Sequence, residues 1–147
     1  MRLHLPFWGS ALILLAFCNQ AQEPPPQRAS SAILEQTCAP LGSIETRTTL
    51  YFGQSKPGGT VSEAEWRDFL QKEVTPRFPD GLTVWEADGQ WREPSGKIGR
   101  ERAKILLLVH EQSSELRPAI AAIVTAYKRS FAQQSVLWET APVCAAF

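Results

Sequence analysis

The sequence is poor in the residues that carry metal or nucleophilic chemistry. Its 147 residues include two histidines and three cysteines, and the formal net charge is zero. No cysteine has a histidine or another cysteine at metal-ligand spacing, so we predict neither a metal site nor a cofactor. A chain without net charge has no electrostatic footprint for nucleic acid, and no glycine-rich nucleotide fingerprint is present. What is present is 44% hydrophobic residues, which favours one globular domain.

The N-terminal residues are typical of an export signal. Arg2 and His4 precede an apolar run, Leu5 to Phe17, that is short for a membrane span. We therefore predict a signal peptide over residues 1–21, with a membrane anchor helix as the alternative. Residues 15–18 are similar to the lipobox of bacterial lipoproteins, in which Cys18 would be lipidated, although Phe17 replaces the usual small residue. Cleavage after Cys18 or Ala21 is the other alternative.

These features predict a protein of the bacterial periplasm, or one that is anchored to a membrane only through a lipid on Cys18. Residues 22–37 are rich in proline and small polar residues and predict a linker before a single domain over 38–147. If Cys18 belongs to the leader, Cys38 and Cys144 remain. An even pair of cysteines in an oxidising compartment predicts a disulfide.

Hydrophobic periodicity predicts the order strand, helix, strand, strand, helix, strand. β-Branched and aromatic runs predict strands over 46–52, 82–92, 102–110 and 135–140, with either a hairpin turn or a bulge at Asp88-Gly89. A capping box at Ser62 and Glu65 begins one helix, and 116–131 forms the other. This order is the α+β, ferredoxin-like split β-α-β pattern (βαββαβ), a four-stranded antiparallel sheet with two helices on one face. Its first and last strands are neighbours, which supports the disulfide.

The alternation of side chains along the strands divides them between two sheet faces. One face packs on the helices, and we call the other the open face. The residues predicted to face the helices are Leu50, Phe52, Ile105, Leu107, Val109, Val136 and Trp138. Those predicted for the open face are Thr49, Tyr51, Trp85, Lys104, Leu106, Leu108 and Leu137. Such an apolar face is larger than a monomer usually exposes.

Three alternatives stay open for this face. A second copy or another protein stacks on it, an apolar ligand binds it, or residues 85–92 or the N-terminal stretch cover it. Trp85 and Trp91, with Arg77 and Arg92, form either an aromatic and basic ligand rim or a brace for a long connection.

Two further sites are weaker. Lys56, Gly58 and Gly59 precede a helix N-terminus and form either an anion site or a plain glycine loop. His110 ends the most apolar strand and is either a catalytic residue or a polar strand end.

Several segments resemble one bacterial family of small exported proteins, catalogued as domain of unknown function 3574. The resemblance is carried by residues 50–53, 61–66, 75–84, 89–91, 134–136, Tyr127, Phe131 and Cys144, of which 75–84 (TPRFPDGLTV) is specific. It implies an exported, often lipoprotein-like domain without an assigned activity.

We therefore expect an exported binding or protein-interaction module, with homodimerisation through the open face as one form of it. The alternative is a small cofactor-free enzyme in which two ferredoxin-like halves pair into a barrel, with Tyr51, Trp85, Lys104 and His110 as candidate residues. The hypothesis leans away from an enzyme, and the sequence does not indicate the ligand.

Overall fold

A four-stranded antiparallel sheet forms the centre of the molecule. The computed structural model describes residues 26–92 and 95–147. Its elements are α1 (Pro26–Cys38), β1 (Ser43–Gly53), β2 (Ser55–Lys56), β3 (Gly59–Thr60), α2 (Glu63–Phe69), β4 (Thr83–Arg92), β5 (Ile98–His110), α3 (Leu116–Phe131) and β6 (Leu137–Ala145). The strand order in the sheet is β4-β5-β1-β6, while β2 and β3 form a small separate ribbon. The predicted α+β class and four-stranded antiparallel sheet are confirmed, with three helices rather than two.

The core lies between this sheet and the helices α2 and α3. Its centre is an aromatic cluster in which neighbouring ring centroids lie 4.5–6.2 Å apart: Phe52, Trp66, Phe69, Tyr127 and Phe131. The Tyr127 hydroxyl is a polar group of this cluster, and it donates a 2.9 Å hydrogen bond to the carbonyl of Gly53. Burial, followed by the charges of Glu101 and Glu65, raises the pKa of Tyr127. This tyrosine therefore serves as a neutral donor inside the core.

Helix α2 begins as its sequence predicts. Ser62 is the N-cap, its side chain accepts from the Glu65 backbone N–H, and the Glu65 carboxylate accepts in turn from the Ser62 N–H. The helix continues through a π-helical turn, Leu70–Val74, in which the Thr75 N–H bonds to the Leu70 carbonyl at 2.8 Å. The predicted capping box is confirmed.

The segment predicted as a linker contains a helix. Pro26 is the first residue of α1, where its missing N–H costs no hydrogen bond, and the helix runs to Cys38. Cys38 is buried and bonded to Cys144, with Sγ atoms 2.05 Å and Cα atoms 5.5 Å apart, so the predicted disulfide is present. The predicted signal peptide, with Cys18 and the first linker residues, lies outside the described residues. None of the described helices is long and apolar enough to span a bilayer.

Strand β4 runs without a break through Asp88 and Gly89. These residues pair in continuous register with Arg102 and Glu101 of β5, so both predicted alternatives, a hairpin turn and a bulge, are wrong. The turn lies further along, between β4 and β5, where Gly96 has a φ of 85°. A positive φ, which glycine adopts without strain, is what lets the chain reverse at Gly96 rather than at Gly89.

The face prediction for β5 is wrong, and those for β1 and β6 are right. Leu50 pairs with Leu106, and since paired residues share a face, Leu106 and Leu108 belong to the core rather than to the open face. Lys104 lies on the same helix-covered side. Residues 105–109 are apolar on both faces, so alternation alone could not fix which face each one takes.

Candidate functional site: the open face

The open face carries a different residue set from the one predicted, but it is still apolar. Ile105 pairs with Tyr51 on one side and with Trp85 on the other, and Tyr51 pairs with Leu137. These side chains therefore share the face with Leu107. Ile105 is buried beneath its neighbours, while Trp85 is 43% and Leu137 60% exposed. Tyr51, Trp85 and Leu137 are on the predicted face.

A groove of ≈ 1150 Å³ lies on this face. Strands β1, β4 and β5 line one side of it and residues 132–137 line the other. Trp85 and Trp91 are its largest side chains, and Trp91 is 46% exposed. Arg92 also lines the groove, whereas Arg77 pairs with Glu73. This arrangement favours a ligand rim made of the two tryptophans and Arg92 over a structural brace.

Glu101 is a groove residue that the sequence did not identify. Its Oε2 accepts a 2.9 Å hydrogen bond from the Ser55 backbone N–H, and no ion pair joins it to a residue of the described chain. Its carboxylate lies over Gly53, where an added Cβ would be only 2.2 Å from Oε1. The available signal was Gly53 itself, because a glycine inside a strand often marks the close approach of another group.

Tyr51 presents its ring to the groove and its hydroxyl to β6. The hydroxyl donates a 2.9 Å hydrogen bond to Glu139, and that bond is the main reason the pKa of Tyr51 is raised. A tyrosine held in this way is a neutral aromatic surface. It is not a proton donor tuned to neutral pH.

Lys104 has a structural role on the covered side. Its side chain is only 6% exposed, and its Nζ lies 2.6 Å from Glu63 Oε1 and 2.8 Å from Glu86 Oε1. The hydrogen bond from Lys104 lowers the pKa of Glu63. The predicted placement of Lys104 on the open face is wrong because these two carboxylates hold it at the rim of the core.

His110 lies six residues further along β5, which places it roughly 20 Å from Lys104. Its Nδ1 is 2.8 Å from the Glu111 carbonyl and its Nε2 is 3.0 Å from Thr48 Oγ1. Since a carbonyl only accepts, Nδ1 carries the proton, and in the neutral ring Nε2 accepts from Thr48. His110 lines a second pocket of ≈ 530 Å³. The four residues proposed for an enzyme are therefore not brought together.

The predicted anion site is occupied by the protein's own charge. Lys56 forms an ion pair with Glu65, and the same carboxylate accepts from the N–H and hydroxyl of Ser62 at 2.9 and 2.8 Å. Gly58 and Gly59 adopt φ values of 82° and 150°. The structure therefore favours the plain glycine loop. Within residues 26–92 and 95–147, no cluster of three or more potential ligands could hold a metal ion.

Comparison with known proteins adds a family and a fold. A family described as a protein of unknown function, DUF3574, matches residues 47–147. Among solved structures, the chain is similar to a phage SAM lyase in complex with S-methyl-5′-thioadenosine, with a TM-score of 0.55 and 15% identity. That alignment covers 71% of this chain and 93% of the lyase. At this identity the similarity is one of fold. No curated protein matches the sequence.

Proposed function

This chain belongs to the DUF3574 family, and we propose that it is a binding module whose partner occupies the open face. The observation that supports the proposal is the groove with Trp85 and Trp91 half-exposed on its sides. Ligand sites are concave, mostly apolar surfaces with few polar groups, and exposed tryptophans are the side chains that anchor partners most strongly. Leaving two indoles in water has no structural benefit for the domain.

A second copy of the chain is the first occupant to test. Leu137 and Leu107 extend the apolar surface beyond the groove, which suits face-to-face stacking of two sheets. If a second copy occupies the face, light scattering after size exclusion gives twice the chain mass, and Leu137→Lys gives a monomer. Ile33→Lys is the matched control, since Ile33 is equally exposed but lies on α1.

A wild-type chain that is monomeric at all accessible concentrations would exclude the homodimer but not a different occupant of the groove. In that case Trp85→Ala and Trp91→Ala, which remove the anchors, decide whether the open face binds any partner of the exported protein.

An enzyme is the second candidate, and the fold similarity to a phage SAM lyase supports it. We infer a ferredoxin-like split β-α-β topology from the order β4-β5-β1-β6, which is consistent with that candidate. Because Lys104 and His110 lie on the covered side, such an activity would use the groove residues. Incubation with S-adenosylmethionine and detection of S-methyl-5′-thioadenosine tests it, with Glu101→Gln as the variant expected to be inactive.

We also propose that the protein is exported to the periplasm. The Cys38–Cys144 disulfide suits an oxidising compartment and so supports a location in the periplasm. The intact mass of the mature protein tests lipidation: a mass with added acyl chains on Cys18 supports the anchor. A chain that begins after Cys18 or Ala21 excludes it.

A further inference from the structure

The groove has large walls and a floor of small residues. Trp85 and Trp91 lie on the same side of β4, six residues and about 20 Å apart, and only Ala87 and Gly89 lie between them on that side. Across the strand pair, Ala87 faces Ala103. No side chain larger than a methyl group therefore fills the space between the two indoles along β4.

Glu101 lines the same groove from β5, with its carboxylate turned towards β1. It pairs with Gly89, and its carboxylate is held by the Ser55 N–H over Gly53. The charged side chains that line the groove are Asp88, Glu101 and Arg92, which gives two carboxylates and one guanidinium. Within the described residues no cation pairs with this partly buried carboxylate, and the indoles line the same groove, so the complementary ligand is a cation with an apolar body.

We propose that the groove binds a small organic cation, a quaternary ammonium that carries an aromatic body. The cationic head lies against Glu101, and the aromatic body packs over Gly89 against Trp91, the indole nearer to Glu101 along β4. Tryptophan faces attract such cations through the ring quadrupole, and Glu101 supplies the charge that an apolar groove lacks. This inference rests on the proposed function, because it names the ligand class of the same groove.

The test compares two probes of equal shape. Benzyltrimethylammonium carries the charge, and neopentylbenzene replaces its nitrogen by carbon. We expect titration of tryptophan fluorescence to show that the cation binds about tenfold more tightly than the neutral probe. Glu101→Gln should abolish this preference, because glutamine keeps an acceptor for the Ser55 N–H but removes the charge.

Glu139→Gln is the matched control. Glu139 is a carboxylate that already accepts from Tyr51, so its loss should leave the preference for the cation unchanged. Gly89→Val is the second variant, because a Cβ at Gly89 meets only ordinary contacts and valine would fill the groove floor. It should prevent binding of both probes even if Glu101→Gln fails to fold.

Two results would overturn the cation site. If both probes bind equally and Trp91→Ala removes both, the groove is a neutral site, and the binding function stands without the cation. If neither probe binds, the ligand class is wrong, and light scattering then decides whether a second copy occupies the face.

Discussion

The two faces of the sheet are built from the same strands, but they differ in how much of their apolar surface is shielded from water. On the covered face, Leu50 and Leu106 lie opposite each other and are fully buried beneath α2 and α3. On the open face, Trp85 and Leu137 keep about half of their surface in water. Both faces are apolar, so hydrophobicity alone does not distinguish a core from a binding surface. What distinguishes them within residues 26–92 and 95–147 is the cover, because α2 and α3 lie over one face whereas the other keeps exposed indoles.

The polar groups differ in the same way. On the covered side, Lys104 is neutralised by Glu63 and Glu86, as a charge at the edge of a core must be. On the open side, Glu101 has a backbone N–H as its partner and no cation within the described chain. The covered face, whose charged groups are ion-paired, contributes to the stability of the fold. The other face, with exposed indoles and a carboxylate that no cation of the described residues neutralises, is the one on which we propose that a partner binds.

Neighbouring leucines on β5 give the sharpest test of this comparison. Leu106→Ala should lower the free energy of unfolding by about 2–5 kcal/mol, because it leaves a cavity in a fully buried core. Leu107→Ala, the matched control on the open face, should cost about 1 kcal/mol, since that leucine is only partly buried. Urea unfolding followed by circular dichroism measures both. Equal losses would mean that the open face is sealed in solution, as it would be inside a tight homodimer.

The sequence predicted most of the fold but assigned β5 to the wrong faces, and the reason is physical. In β1, apolar Leu50 and Phe52 alternate with Thr49 and Tyr51, which carry hydroxyl groups, so the covered face can be identified from the pattern. Residues 105–109 of β5 are apolar without interruption, and only their pairing with β1 decides the side. Glu101 was missed because its position over Gly53 depends on that same pairing.

The N-terminal helix was missed for another reason. Polar, proline-rich composition predicted a linker, whereas α1 begins at Pro26 and is tied down through Cys38. A disulfide supplies a tertiary constraint that composition does not reveal. By contrast, the capping box follows from neighbouring residues and the disulfide from an even pair of cysteines, and both predictions are confirmed.

The ion pairs of Lys104 with Glu63 and Glu86 predict unequal losses of unfolding free energy, depending on which side of the pair is removed. Glu63→Gln with Glu86→Gln leaves the buried Lys104 ammonium without its two counter-charges and should lower the free energy of unfolding by more than Lys104→Met does. Lys104→Met should cost less than about 1 kcal/mol, because the two carboxylates it leaves can hydrate. Urea unfolding at neutral pH compares them. A larger loss for Lys104→Met would mean that the lysine binds something besides these two partners.

The smallest expected effect is on the pH dependence of stability, through Glu65 at the N-terminus of α2. The hydrogen bond from Lys56, followed by those from the Ser62 N–H and hydroxyl, lowers the pKa of Glu65 from 4.5 to about 2. A depressed carboxyl pKa contributes stability that is fully present above pH 4.5 and is lost as the pH falls towards 2. Unfolding free energies across this window should therefore fall less steeply for Glu65→Gln than for the wild type.

Variants that remove one contact of Glu65 at a time show which contact determines the pH dependence of the unfolding free energy. Lys56→Met removes the largest cause and should flatten the pH dependence more than Ser62→Ala, which keeps the Lys56 pair and the backbone hydrogen bond. The reverse order would assign the effect to the cap rather than to the ion pair. In that case the helix N-terminus itself, and not Lys56, would be the positive partner that holds Glu65 ionised and α2 in place over the aromatic core.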